Sequence, residues 1–167
     1  MSVVLPEPEP TGPGEESVWS YPRPPRLEAE RRRVRVVFAG AVVADSERAL
    51  RVLETSHPPT YYLPIHDVDP QCLRPNEGSS FCEWKGVASY YDVVVGERQA
   101  LQGAWTYRRP HRQYFPLRGH VAFYCAAMDL CEVGGELARP QPGGFYGGWV
   151  TSWVKGPFKG VPGSSDW

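Results

Sequence analysis

The sequence predicts a mainly β protein, a single small antiparallel barrel or sandwich with one or two short helices and extended N- and C-terminal arms. Three observations carry this reading. Short apolar runs alternate with polar residues at period two and recur at roughly ten-residue intervals. No segment sustains a long helical period. The 167 residues include 18 Pro and 17 Gly, about a fifth of the chain, a composition that favours turns and short strands over a helical bundle.

The elements follow in order. Residues 1–16, with Leu5-Pro-Glu-Pro-Glu-Pro10, bury too little apolar surface to offset ordering entropy and are expected to be a disordered leader. Residues 17–30 carry Trp19, Tyr21 and prolines 22, 24 and 25, an extended arm with aromatic anchors. A globular β domain is expected over 31–138. Arg33-Val-Arg-Val36 alternates, and Ala39-Gly40 marks a turn into a second strand. Ala49 to Thr55 reads as a short strand or a helical turn. Thr60 to Leu63 is a strand ended by Pro64, after the rigid Ser56-His-Pro-Pro59 loop. His66 to Arg74 is expected to form one short helix, and Asn76 to Ser80 a turn. Phe81 to Val95 is read as the longest strand, returning through Gly96-Glu97 into Gln99 to Tyr107. After a basic, proline-bounded loop come Gly119 to Cys125, Leu130 to Val133 and a turn at Gly134-Gly135. Residues 139–167 form a Gly/Pro/aromatic tail, expected to pack on the domain or on a neighbour.

Charge and cysteines exclude several classes. The net charge of −1 gives no global attraction to anionic membrane and argues against nucleic acid as the partner. No stretch of 18 apolar residues and no secretory leader are present, so a cytoplasmic location is expected. Cys72, Cys82, Cys125 and Cys131 are separated by nine, 42 and five residues, outside zinc-knuckle spacing, so free thiols and no metal are expected. Nothing in the composition implies a cofactor.

Five ordered motifs carry a resemblance. Leu50-Arg-Val-Leu-Glu-Thr-Ser-His-Pro-Pro59, Tyr61-Tyr-Leu-Pro64 and Cys82-Glu-Trp-Lys-Gly86 with Ala88-Ser-Tyr-Tyr91 are the first three. Ala104-Trp-Thr-Tyr107 and Gly119-His-Val-Ala-Phe-Tyr124 complete the set. Together they resemble the bacterial and fungal domain of unknown function 427 family, whose members often carry a nucleotidyltransferase label. The resemblance spans about residues 30–138, and the flanks resemble its actinobacterial-type long form. It implies a small, mostly β domain of the β-tent kind, with no established reaction. The nucleotidyltransferase label lacks its motif here: Asp67-Val-Asp69 has no preceding Gly-Ser pair. Cys82 matches the family's Cys-x-Trp-Lys-Gly form, whereas Cys125 stands where such sequences more often carry a turn proline.

Two constellations could carry chemistry. In the first, Trp84 offers a stacking face and Lys85 a point charge or, if desolvated, a nucleophilic amine. Read as a strand, this segment points Cys82, Trp84 and Gly86 one way and Glu83 and Lys85 the other. The second is Arg51, Glu54, His57, Tyr61 and Tyr62. His57 is the proton shuttle, Glu54 the group that would set its tautomer, and Arg51 an anion clamp. Tyr61 and Tyr62 face opposite sides, so one can line a pocket while the other packs. His57, Cys82 and Lys85 are the catalytic candidates, and a Cys82–His57 dyad is one arrangement they could form. With Tyr90 and Trp105 these residues define an expected aromatic pocket for a small anionic or nucleotide-like ligand. The alternative is a non-catalytic interaction module, a homodimer for instance, that uses Phe145, Tyr146, Trp149 and Trp153 as pegs. Arg98, Arg108, Arg109, Arg112 and Arg118 form the only local charge imbalance, read as a solvated edge.

Overall fold

The computed structural model describes residues 3–167. Its strands, in chain order, are β1 (Glu16–Ser17), β2 (Arg26–Glu30), β3 (Val34–Phe38), β4 (Ala41–Ser46), β5 (Ala49–Leu53), β6 (Thr60–Pro64), β7 (Leu73–Cys82), β8 (Gly86–Val95) and β9 (Arg98–Thr106). They continue as β10 (His120–Phe123), β11 (Leu130–Val133), β12 (Glu136–Leu137), β13 (Arg139–Pro140), β14 (Trp149–Val150) and β15 (Val154–Lys155). The helical elements among the described residues are five 3-10 turns of three to six residues. Among the described residues, no helix is long and apolar enough to cross a membrane.

A seven-stranded sheet, ordered β2-β5-β6-β10-β9-β8-β7, lies with a four-stranded sheet, ordered β12-β11-β3-β4. Both are antiparallel and open at their edges, so the barrel alternative is excluded and the architecture is sandwich-like. Two small pairs complete it, β13 with β14 antiparallel and β1 with β15 parallel. The sheet therefore starts at Arg26, five residues before the expected domain start, and the tail folds back on the same chain.

Period two decides what each face of the large sheet does. Tyr61, Leu63, Val93, Ala104, Val121 and Phe123 join Val34, Val36, Phe38 and Val43 in the main core. Their neighbours Tyr62, Trp105 and Ala122 point the other way, into a second cluster with Val52, Ala88, Tyr107, Tyr114 and Leu117. Trp149 reaches the main core from the tail. It is fully buried, packs 5.1 Å from the Tyr61 ring, and donates its indole N–H to the Phe123 carbonyl at 3.0 Å.

Three local expectations are corrected. The segment read as one strand from Phe81 is a hairpin: Cys82 pairs with Gly86, and residues 83–85 form its loop. Gly86 takes φ +104°, a conformation open only to glycine, so the chain turns there instead of continuing. The strand alternation assigned to Cys82, Trp84 and Gly86 falls with it. Asn76 to Ser80 lies inside β7, where the register breaks between Pro75 and Ser79. The Asn76 side chain spans the irregularity, accepting from Gly78 N–H and donating to Asp92. The helix expected over His66 to Arg74 is two 3-10 turns, Ile65–Asp67 and Pro70–Cys72, because Val68 bridges to Ala44 between them.

Candidate functional site

The second face of the large sheet holds a cleft of about 800 Å³. Its floor is β5, β6, β8 and β9, which supply Val52, Tyr62, Ala88, Tyr90 and Trp105. The 83–85 loop forms one wall with Trp84 and Lys85, and the glycine-rich tail forms another with Gly144, Phe145, Tyr146 and Gly147. Gly147 is a requirement of this closure: a Cβ there would stand 2.2 Å from Trp105 Cη2. The aromatic rings pack against each other, Trp105 with Tyr124 at 4.5 Å and Tyr62 with Trp105 at 6.4 Å, edge to face.

Of the residues expected in a pocket, Glu54, His57, Tyr62, Cys82, Trp84, Lys85, Tyr90 and Trp105 line this cleft. Arg51 and Tyr61 do not. Tyr61 is a core residue with its hydroxyl unpartnered. Arg51 lies on the opposite face of β5 and clamps the protein's own carboxylates, Glu16 at 2.5 Å and Glu28 at 2.6 Å. Its guanidinium is spent on joining the N-terminal arm to β2 and β5.

His57 is held by a residue the sequence did not nominate. The Gln141 carbonyl oxygen accepts from Gly148 N–H at 3.0 Å, which turns the amide NH₂ toward His57 Nδ1, also at 3.0 Å. Nδ1 is thus an acceptor and the ring proton sits on Nε2, 3.6 Å from Glu54 Oε2. Gln141, not Glu54, sets the tautomer; Glu54 is held by Arg23 at 3.1 Å. Burial, followed by the charges of Lys159, Arg23 and Lys85, lowers the His57 pKa from 6.5 to about 3. The imidazole is neutral, and its one basic nitrogen is occupied. Its partners in the structure are Gln141 and Glu54 rather than Cys82.

Lys85 has the opposite character. Burial alone would lower its pKa, but Tyr62, Cys82 and Glu54 outweigh burial and raise it. It is a half-buried ammonium, not a nucleophilic amine. Among the described residues no carboxylate lies within ion-pair distance of it, and its Nζ stands 5.7 Å from the Tyr107 ring centroid. Lys159 adds a second cation to the lining, bonded through Nζ to the Trp167 carbonyl at 3.1 Å. Burial holds the Tyr62 and Tyr107 phenols protonated, their pKa values raised.

No group of three His, Cys, Asp or Glu side chains placed to hold a metal ion occurs among the described residues, and all four cysteines are free. Asp67 and Asp69, the pair bearing on the nucleotidyltransferase label, are both engaged outside the cleft. Asp67 pairs with Arg48 at 2.9 Å, and Asp69 caps the Pro70–Cys72 turn.

A family model described as a domain of unknown function, DUF427, and named NTP_transf_9, matches residues 26–134. The chain belongs to the DUF427 family. The match opens on the first residue of β2 and closes just after β11, so the DUF427 domain coincides with the two main sheets up to β11. The cleft floor and the 83–85 loop lie inside the DUF427 match, while Gln141, Tyr146 and Lys159 lie beyond it. A search of the curated proteins finds no match.

Proposed function

We propose that the cleft binds a small planar molecule bearing an acidic group, nucleotide-like in kind, with Lys85 as its counter-ion. The observation that carries this reading is Lys85 itself: a half-buried ammonium with no protein carboxylate within ion-pair distance among the described residues, set among aromatic rings. A charge drawn partly out of water gains from an opposite charge brought to it. The flat faces of Trp84, Trp105 and Tyr90 suit a planar ring, and about 800 Å³ is within the range of small-molecule sites. His57, neutral with its proton on Nε2, offers orientation rather than proton transfer. The competing interaction-module reading loses two of its four pegs, because Trp149 and Trp153 pack within their own chain, and keeps the exposed Phe145. The test is a thermal-shift series with nucleoside monophosphates, aromatic carboxylic acids and their neutral analogues. Acidic compounds should raise the melting temperature of the protein and fail to do so with Lys85→Ala. Equal shifts from neutral analogues, or shifts that persist in Lys85→Ala, would defeat the proposal.

A further inference from the structure

Most arginines of this protein are paired, and most of those that are not lie together. Arg23, Arg26, Arg32, Arg33, Arg35, Arg48, Arg51, Arg74 and Arg98 each pair with a carboxylate of the same chain. Their charge is spent internally. Among the described residues, Arg31, Arg108, Arg109, Arg112, Arg118 and Arg139 have no such partner and are exposed, and four of these six, Arg108, Arg109, Arg112 and Arg118, lie on one loop. A net charge of −1 therefore conceals a local cationic surface.

The position of that loop is the second observation. It begins immediately after Tyr107, which lines the cleft. It then packs on the outer side of the 83–85 loop that forms the cleft wall. His111 N–H donates to the Lys85 carbonyl at 2.9 Å, and His111 Nδ1–H donates to the Trp84 carbonyl at 2.9 Å. Tyr114 is buried and anchors the loop through its hydroxyl to the Pro25 carbonyl at 2.8 Å. Phe115 is left 56% exposed, with the Arg118 guanidinium 5.9 Å from its ring centroid. The loop is thus anchored to the back of a cleft wall and follows Tyr107 of the lining in the chain, and it carries an exposed aromatic ring of its own.

We infer that the site accommodates a single-stranded nucleic acid, with one base in the aromatic cleft and its backbone phosphates along Arg108, Arg109 and Arg112. This rests on the reading of the cleft as a site for a planar anion. Four guanidinium groups spread from residue 108 to 118 exceed what a single acidic group can engage. Arginines interleaved with exposed aromatic rings suit a strand whose bases are unpaired. Acidic protein segments match the charge but bring no planar group to the cleft.

The experiment uses a fluorescein-labelled 12-nucleotide oligo(dA), its duplex with oligo(dT), adenosine monophosphate and polyglutamate. The oligonucleotide should bind at least tenfold more tightly than adenosine monophosphate at low salt. The variant R108Q/R109Q/R112Q should lose most of that advantage and keep its thermal shift with adenosine monophosphate. Each phosphate of a single strand that the protein no longer neutralises flattens the log–log salt dependence by about 0.7, so the triple variant should flatten it by about 2. Lys85→Ala should weaken both ligands. Oligonucleotide affinity unchanged in the triple variant, or no tighter than that of adenosine monophosphate, overturns the inference while leaving the cleft reading intact. Equal binding of the duplex, or equal competition by polyglutamate, overturns it in favour of a generic anion surface or an acidic protein. Oligonucleotide binding that survives Lys85→Ala, with no adenosine monophosphate shift, overturns both readings.

Discussion

Acidification should expose the state of His57. In the folded protein its pKa lies near 3, against 6.5 for an unconstrained imidazole. Between those values the unfolded chain binds a proton at this position and the native chain does not, so stability falls as pH falls. The contribution is fully present above pH 6.5 and is lost progressively toward the folded value. From pH 7 to pH 5, a group of pKa 6.5 that stays neutral only in the native state removes about 2 kcal/mol. Most carboxylates titrate below this window, which isolates the imidazoles. His120, whose pKa is also lowered by burial, contributes to both proteins when the comparison is with His57→Gln. Glutamine remains neutral at every pH and can still accept from the Gln141 amide. Urea unfolding followed by tryptophan fluorescence at pH 7, 6 and 5 should show the parent losing about 2 kcal/mol more than the variant. Parallel losses would mean that His57 takes up its proton in the folded state, and the acceptor role given to Nδ1 would be wrong.

Other perturbations separate framework from site. Gly147→Ala should displace Trp105, cost about 1–3 kcal/mol by overpacking, and abolish the thermal shift given by acidic ligands. Trp149→Ala removes a fully buried ring and should cost about 3–5 kcal/mol in a denaturation series. Arg51→Met leaves the Glu16, Glu28 and Glu30 carboxylates without their shared cation. It should lower stability by about 2–3 kcal/mol, yet leave the affinity for cleft ligands unchanged by calorimetry.

Local alternation carried much of the fold. Tyr61 and Tyr62 were legible as opposite-facing because one strand spans both, and the structure divides them between core and cleft. Ala49 to Thr55 fitted strand and helical turn equally in isolation; pairing of Ala49–Leu53 with Arg26–Glu30 decides for the strand. The 82–86 segment misled because Trp and Lys suit a strand face as well as a loop, and only the positive φ at Gly86 forces the turn. Arg51 looked like an anion clamp, which it is, but the anions are Glu16 and Glu28 of the same chain. That pairing joins residues 35 and 23 positions apart and leaves no local signature. Gln141 was missed for the same reason: it meets His57 across 84 positions. Its one sequence signal was a lone amide fixed between Pro140 and Pro142.

The wall built by residues 141–147 makes the site modular. The family match ends at Gly134, so the 83–85 loop and the sheet floor lie within the matched region, while the opposite wall lies outside it. A shorter relative that stopped at the matched region would present Trp84, Lys85 and Trp105 on an open shelf. One with a different appendage would enclose a differently shaped space beside Lys85. The cover is a separable part of the site, and the glycines that let its backbone press against Trp105 and Pro58 are the residues on which its fit to the sheet depends.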